Sequence, residues 1–155
     1  MDTDIQMQMR NLFTEYLLEK ELRKTAERYA VFDCVCSISG HFDMEMLYQK
    51  LDSEKFHVSR TTLYNTIELL VNARLIVRHQ FGGSQSVQYE LANEAKMHYH
   101  QICTRCGCIR ELKDDNLMEM IRSKKVTKFT PEFYSLYIYG VCSKCKFKIQ
   151  QKIIK

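Results

Sequence analysis

Apolar positions recur at helical spacing through the first half of the chain and at strand spacing beyond it. Ile5, Met9, Leu12, Phe13, Tyr16 and Leu17 fall on one face, so the chain opens on an amphipathic helix. A charged stretch from Glu19 to Arg28 follows, carrying Lys20, Arg23, Lys24 and Arg28. The second stripe, Val31, Cys34, Val35 and Ile38, predicts a helix that ends at Gly40, because glycine readily takes the left-handed conformation that closes a helix. Asp43 is a good N-cap for a third helix with Met44, Leu47, Tyr48 and Leu51 inward. Ser59 caps a fourth, with Leu63, Ile67 and Leu70 inward. The period then changes. Leu75-Ile76-Val77 and Val87 to Leu91 read as strands joined across Phe81-Gly82-Gly83-Ser84, a strong hairpin turn signal. Helices two to four followed by a β-hairpin make a winged helix-turn-helix, whose last helix enters the DNA major groove while the wing lies along the backbone.

The polar segment Ala92 to Lys96 reads as a hinge. Beyond it the pattern predicts a strand at His98 to Ile102, a knuckle at Cys103 to Gly107 and a strand at Ile109 to Leu112. A helix around Asn116 to Ser123, a strand at Phe133 to Tyr139 and a Lys-rich terminal helix complete the chain. The expected fold class is α+β: an N-terminal winged helix-turn-helix domain over residues 1–92 and a small α/β domain over residues 93–155.

Composition narrows the classes. At 155 residues the chain suits one medium domain or two small ones, and 45% hydrophobic content is ordinary for a soluble protein. The acidic start Met1-Asp2-Thr3-Asp4 has no apolar core of a signal peptide, and no apolar run approaches the roughly 20 residues that span a bilayer. A cytoplasmic, reduced protein without a membrane partner is expected, in which paired cysteines serve as metal ligands or redox catalysts rather than structural disulfides. A net charge of +4 permits nucleic acid as a partner without requiring it.

On the fourth predicted helix, Arg60, Thr61, Tyr64, Asn65 and Glu68 cluster away from the apolar stripe. Arg, Thr, Tyr and Asn carry the donors, acceptors and methyls that read base edges and phosphates. Any amphipathic helix also has a polar solvated face. The adjacent wing tilts the balance towards DNA, and Arg23, Lys24 and Arg28 would add salt-sensitive phosphate or minor-groove contacts.

Four of the seven cysteines form two Cys-x-x-Cys pairs, Cys103/Cys106 and Cys142/Cys145. Two such knuckles can close a tetrahedral four-thiolate zinc site with no position left for substrate. A redox role fits less well, since neither pair opens a helix after a strand in a βαβ pattern. Cys108, directly after Gly107, is a fifth thiolate candidate expected to point elsewhere. Cys34 lies on an apolar stripe and reads as core, whereas Cys36 lies off it with no evident role. His98 and His100, one strand period apart, are not needed by an all-cysteine site, so they imply a second metal or none. Imidazoles with carboxylates suit Fe(II), Mn(II), Zn(II) or Ni(II). Glu90 and Glu111 are nearby carboxylates, and His41 lies in the DNA-binding half. If His41 and Glu90 joined His98 and His100, one metal would select one inter-domain geometry and so switch DNA binding.

Four stretches together carry a family resemblance: Leu22 to Arg28, Ser59 to Ile67, His98 to Gly107 and Tyr137 to Cys145. In order and spacing, from about residue 18 to 148, the chain resembles the ferric uptake regulator (Fur) family of bacterial metal-dependent repressors. The resemblance implies a C-terminal dimerisation domain and a homodimer on a palindromic operator in double-stranded DNA. It places Cys103, Cys106, Cys142 and Cys145 on a structural Zn2+ site. It places His41, Glu90, His98, His100 and Glu111 on a regulatory site for Fe2+, which Mn2+ or Zn2+ would also fill in vitro. Tyr64 falls on a base-contacting tyrosine. Asn65 stands where iron-sensing members often have arginine and is closer to peroxide-sensing members. Both acidic regulatory positions are glutamate, where peroxide sensors use aspartate. Met97, Tyr99 and Tyr134 occupy positions where some members have further ligands, so that additional site is expected to be absent.

The expected function is therefore a metal-dependent DNA-binding repressor, not an enzyme, sensing Fe(II) and controlling metal-uptake genes. Peroxide, zinc and manganese sensing are alternatives within the family. Of other classes, a zinc hydrolase would show His-Glu-x-x-His and a nucleobase deaminase His-x-Glu with Pro-Cys-x-x-Cys, and both motifs are missing. A non-DNA-binding zinc scaffold would show no salt-dependent, sequence-selective DNA affinity.

Overall fold

The computed structural model describes residues 3–80, 87–95, 99–131 and 134–153. They form two compact units, one of the described residues up to Asn93 and the other of those from 94 onward. The first unit opens on α1 (Thr3–Glu19), which buries Met9, Phe13 and Leu17. Ile5 and Leu12, expected inward, are exposed, so the buried stripe is only one residue wide per turn. Phe13 stacks on Phe32 at 5.7 Å and meets Tyr29 edge-on at 5.9 Å, which docks α1 on α2 (Ala26–Cys36). Thr25 caps α2 by accepting the Arg28 N–H, and the helix closes at Ser37. Gly40, predicted to end it, lies outside the helix in the connection to α3 at φ +75°. Cys36 is buried rather than off the apolar face, because α2 packs on α3 (Met44–Ser53) and α4 (Arg60–Asn72) as well as α1. The predicted caps form: Asp43 Oδ1 accepts from Met46 N at 2.8 Å, and Ser59 Oγ accepts from Thr62 N at 3.0 Å.

Three helices stop by one device, without glycine. Glu21, Lys55 and Arg74 follow α1, α3 and α4 at φ 54°, 60° and 59°. The next residues, Leu22, Phe56 and Leu75, send their N–H groups back to the carbonyls of Leu17, Leu51 and Leu70 at 2.8, 3.0 and 3.0 Å. Each bond runs from an apolar residue beyond the helix to an apolar residue of its last turn, the bonding pattern of a left-handed helix cap. The left-handed backbone costs a non-glycine residue about 1–2 kcal/mol, offset in part by the helix-end carbonyls that these bonds satisfy.

The wing is an antiparallel pair, β1 (Ile76–His79) and β2 (Gln88–Leu91), with Ile76 opposite Leu91 and Val77 opposite Glu90. Its predicted turn at Phe81 to Ser84 lies outside the described residues. Phe42 bridges to Tyr89 through reciprocal hydrogen bonds of 2.9 and 2.8 Å, adding the α2–α3 connection to the wing.

The short helix α5 (Ala92–Ala95) occupies the predicted hinge. In the second unit β3 (Tyr99–Cys103) is central, antiparallel to β4 (Ile109–Leu112) and parallel to β5 (Tyr137–Gly140). β5 starts at Tyr137, later than the pattern predicted, and Phe133 lies outside the described residues. Asp114 caps α6 (Asp115–Arg122), and α7 (Ser143–Ile153) follows the second cysteine knuckle. Among the described residues, this unit buries only Tyr99, Ile102, Cys103 and Met118 of its apolar side chains. A core of this size gains from support beyond its own packing, whether a metal, a covalent link or a second chain.

Candidate metal centres and nucleic-acid interface

The first unit brings two imidazoles onto one carboxylate. The Phe42–Tyr89 bridge sets His41 beside Glu90, and the β1–β2 register sets His79 diagonally across from it. His41 Nε2 stands 2.7 Å from Glu90 Oε2, and His79 Nε2 3.2 Å from the same oxygen. The two rings lie 5.3 Å apart at 61°. Glu90 is fully buried, His79 nearly so and His41 mostly. One coordinating atom from each lies within 4.8 Å of the others, close enough to share an ion. Two imidazole nitrogens and a carboxylate oxygen make a donor set for Fe(II), Mn(II) or Zn(II) rather than for a soft ion. His41 and Glu90 are sequence-predicted ligands, whereas His79 is not among the residues the sequence pattern pointed to. The available signal was strand alternation from Val77, on the face that its hairpin partner Glu90 shares.

In the second unit His100 is buried and stacks on Tyr137 at 5.7 Å, and its register partner across the sheet is Glu111. The two side chains therefore share a face of the sheet, with Glu111 exposed. His98 lies outside the described residues.

The same unit gathers thiols. Sγ atoms of Cys103, Cys106, Cys108 and Cys142 all lie within 4.8 Å of one another, and Cys145 follows Cys142 by one helical turn at the start of α7. Contrary to expectation, Cys108 points into the cluster. Gly107, at φ +71°, reverses the chain so that Cys103 N donates to Cys108 O at 2.9 Å, and the sheet returns Cys108 to the first knuckle. Backbone N–H groups of Cys142, Cys106 and Arg105 hold the Cys103 thiol well below its ordinary range, at about 5. Hydrogen bonds with Cys106 and Cys142 push Cys145 up to about 12 and, together with burial, Cys108 to about 11. Clustered sulfurs cannot all ionise without a cation, whereas a divalent ion would make its ligands thiolates. The Cys106–Cys142 sulfur separation of 3.7 Å is close to the edge of about 3.8 Å expected for a tetrahedron with Zn–S bonds near 2.3 Å. The donor set and its spacing fit Zn2+.

On α4, Arg60, Thr61, Tyr64, Asn65 and Glu68 are all exposed, opposite the buried Leu63, Thr66, Ile67 and Leu70. Arg60 lies over the Tyr48 ring at 4.6 Å and 3.4 Å from Glu45, and Glu68 is 3.4 Å from Arg78. Arg60 and Glu68 thus have partners within the unit, while Thr61, Tyr64 and Asn65 stand exposed on the same face. Arg23 and Lys24 are exposed just before α2, while the Arg28 guanidinium donates to the Arg23 carbonyl and fixes that turn. No helix among the described residues is long and apolar enough to cross a membrane.

A winged-helix unit with an open recognition face, a buried donor cluster and a thiolate centre together define a metal-dependent DNA-binding regulator. The model of the ferric uptake regulator family matches residues 19–139. The ferric uptake regulation protein of Bordetella parapertussis is 31% identical over 109 residues, covering 68% of this chain and 76% of its own. The peroxide operon regulator of Bacillus subtilis is 28% identical over 135 residues, covering 86% of this chain and 91% of its own. The solved ferric uptake regulator from Pseudomonas aeruginosa with manganese has the same fold, with a TM-score of 0.64 at 23% identity over 84% of this chain and 97% of that one. The chain belongs to the ferric uptake regulator family of metal-dependent transcriptional repressors.

Proposed function

We propose that this chain is a cytoplasmic, non-enzymatic Fe(II)-responsive repressor of metal-uptake genes, with residues 1–92 binding DNA and 93–155 dimerising. The buried cluster of His41, His79 and Glu90 carries the reading, because its mixed nitrogen and oxygen donors suit Fe(II). The regulatory ion is held by ligands drawn from His41, Glu90, His98, His100 and Glu111, with His79 as a further ligand. A structural Zn2+ is held by Cys103, Cys106, Cys142 and Cys145. Tyr64, Asn65 and Thr61 read bases, while Arg60, Arg23, Lys24 and Arg28 contact phosphates. The homodimer binds a palindromic operator in double-stranded DNA. Edge strand β5 and the start of α7 expose Ile138, Tyr139, Val141 and Phe147, an apolar surface that a second copy would cover.

The test is operator affinity with and without Fe(II), in the native chain and in a His98→Ala/His100→Ala variant. Metal should tighten binding of the native chain about 5–150-fold. Unchanged metal dependence in the variant would remove both histidines from the site. Asn65 and the similarity to the Bacillus subtilis peroxide operon regulator favour peroxide response as a second reading. Mass spectrometry after Fe(II) and peroxide would then find added oxygen on His41 or His98, and unmodified histidines would dismiss it.

A further inference from the structure

The thiol centre holds one more sulfur than a tetrahedral ion can use. Zn2+ bound by four thiolates has no fifth position in a structural site. Cys103, Cys106 and Cys142 lie in one compact set with Cys108, while Cys145, the other half of the second Cys-x-x-Cys knuckle, stands one helical turn beyond Cys142. The Sγ of Cys103 also accepts the Cys142 N–H at 3.3 Å, which locks the two knuckles to each other. Cys108 and Cys145 flank these three sulfurs from different elements. Cys108 arrives on the β3–β4 turn, pinned by the Cys103 N–H to Cys108 carbonyl bond, whereas Cys145 arrives on the first turn of α7.

We propose that Cys108 is an exchangeable zinc ligand, competing with Cys145 for the fourth coordination position while Cys103, Cys106 and Cys142 stay fixed. The inference rests on the reading that Zn2+ fills this centre. It does not depend on the regulatory ion. Exchange is balanced: as the Cys108 thiol gives up its proton and binds, the displaced Cys145 thiolate takes one up, so the charge of the centre is unchanged. Cys103, Cys108 and Cys142 line a cleft of about 300 Å³ together with Gln101, Arg110 and Ser143, which gives the exchange access to solvent. A centre of this kind keeps its ion when one of the two outer ligands is lost. It also presents one reactive thiol at all times.

The experiment uses the full-length zinc-loaded protein and a thiol-alkylating reagent, followed by peptide mapping. Cys34 and Cys36 are buried in the other unit and do not compete for the reagent. Label should divide between Cys108 and Cys145, about one equivalent in all. Label confined to either residue overturns the proposal, since one of them would then be a permanent ligand. Zinc content of purified variants gives an independent readout. Cys108→Ser and Cys145→Ser should each keep close to one Zn2+ per chain, while the double variant should lose at least about nine-tenths of it. Loss in Cys145→Ser as complete as in Cys103→Ser overturns the proposal. Transfer of zinc to a chelator offers a third readout on a variant that keeps both knuckles. It should be several-fold slower in Cys108→Ser than in the native chain, and an equal rate counts against exchange. A native chain that holds no zinc would instead defeat the zinc reading itself.

Discussion

Replacing Glu90 by glutamine keeps the side chain's size and removes its charge from the centre of the buried cluster. Its Oε2 stands 2.7 Å from His41 Nε2, where a unit charge pair is worth about 6 kcal/mol at an effective dielectric near 20. A divalent ion at about 2.1 Å doubles one charge and shortens the distance, raising the same quantity to about 16 kcal/mol. Desolvation of the buried groups cancels most of either figure. A floor comes from groups that only orient a ligand, whose loss weakens metal binding about 10–100-fold. A carboxylate in direct contact should do no less, so at least about 100-fold is expected, near 2.8 kcal/mol. Calorimetric titration of Glu90→Gln with Mn(II) measures the loss, and gel shifts across the same metal range measure its consequence. The midpoint of metal-dependent operator binding should move by the same factor, with its plateau at saturating metal unchanged, because binding and coupling are separate terms. A metal titration coincident with that of the native chain would refute the assignment. A lowered plateau at an unshifted midpoint would put Glu90 in the response to metal rather than in its binding.

Other outcomes are equally specific. Tyr64→Ala removes a half-exposed side chain from the outer face of α4, so it should weaken operator binding by about 1–3 kcal/mol while leaving stability within about 0.5 kcal/mol; a matching fall in melting temperature would show a packing role instead. Lys24→Ala should weaken binding to all DNA sequences alike and lower the salt slope by about one, and an unchanged slope would remove it from the phosphate contacts. Burial raises the thiols of Cys34 and Cys36 from 9.0 to about 11 and about 12. The neutral thiols therefore stabilise the first unit fully below about pH 9, and that contribution is lost as pH rises through 11 to 12. Melting temperature should fall above pH 9 in the native chain and less steeply in Cys34→Ala/Cys36→Ala; parallel curves would contradict the burial argument.

What could be read from local pattern was largely read. The caps at Asp43 and Ser59, the inward residues of α4, the wing strands and the polar face around Tyr64 depend on neighbours a few residues apart, where helical and strand periodicity act. Helix ends were less legible. Glu21, Lys55 and Arg74 adopt a left-handed conformation with no glycine to announce it, and the N–H groups of Leu22, Phe56 and Leu75 return to carbonyls of the last turns. Cys36 is buried because α2 has packed neighbours on several sides, a consequence of tertiary arrangement that no single stripe records.

The sequence by itself determined the element order apart from the short helix α5, the helix-turn-helix with its wing, and the two cysteine knuckles, since each is written in spacing along the chain. Only the tertiary structure decided which potential donors converge. His79 joins His41 and Glu90 because the Phe42–Tyr89 bridge and the β1–β2 register bring three separate segments together. Cys108 joins the thiols because Gly107 turns the chain back and the β3–β4 pairing holds it there. A metal site is a property of distances between side chains, and register and turn geometry set those distances after local preference has chosen the elements.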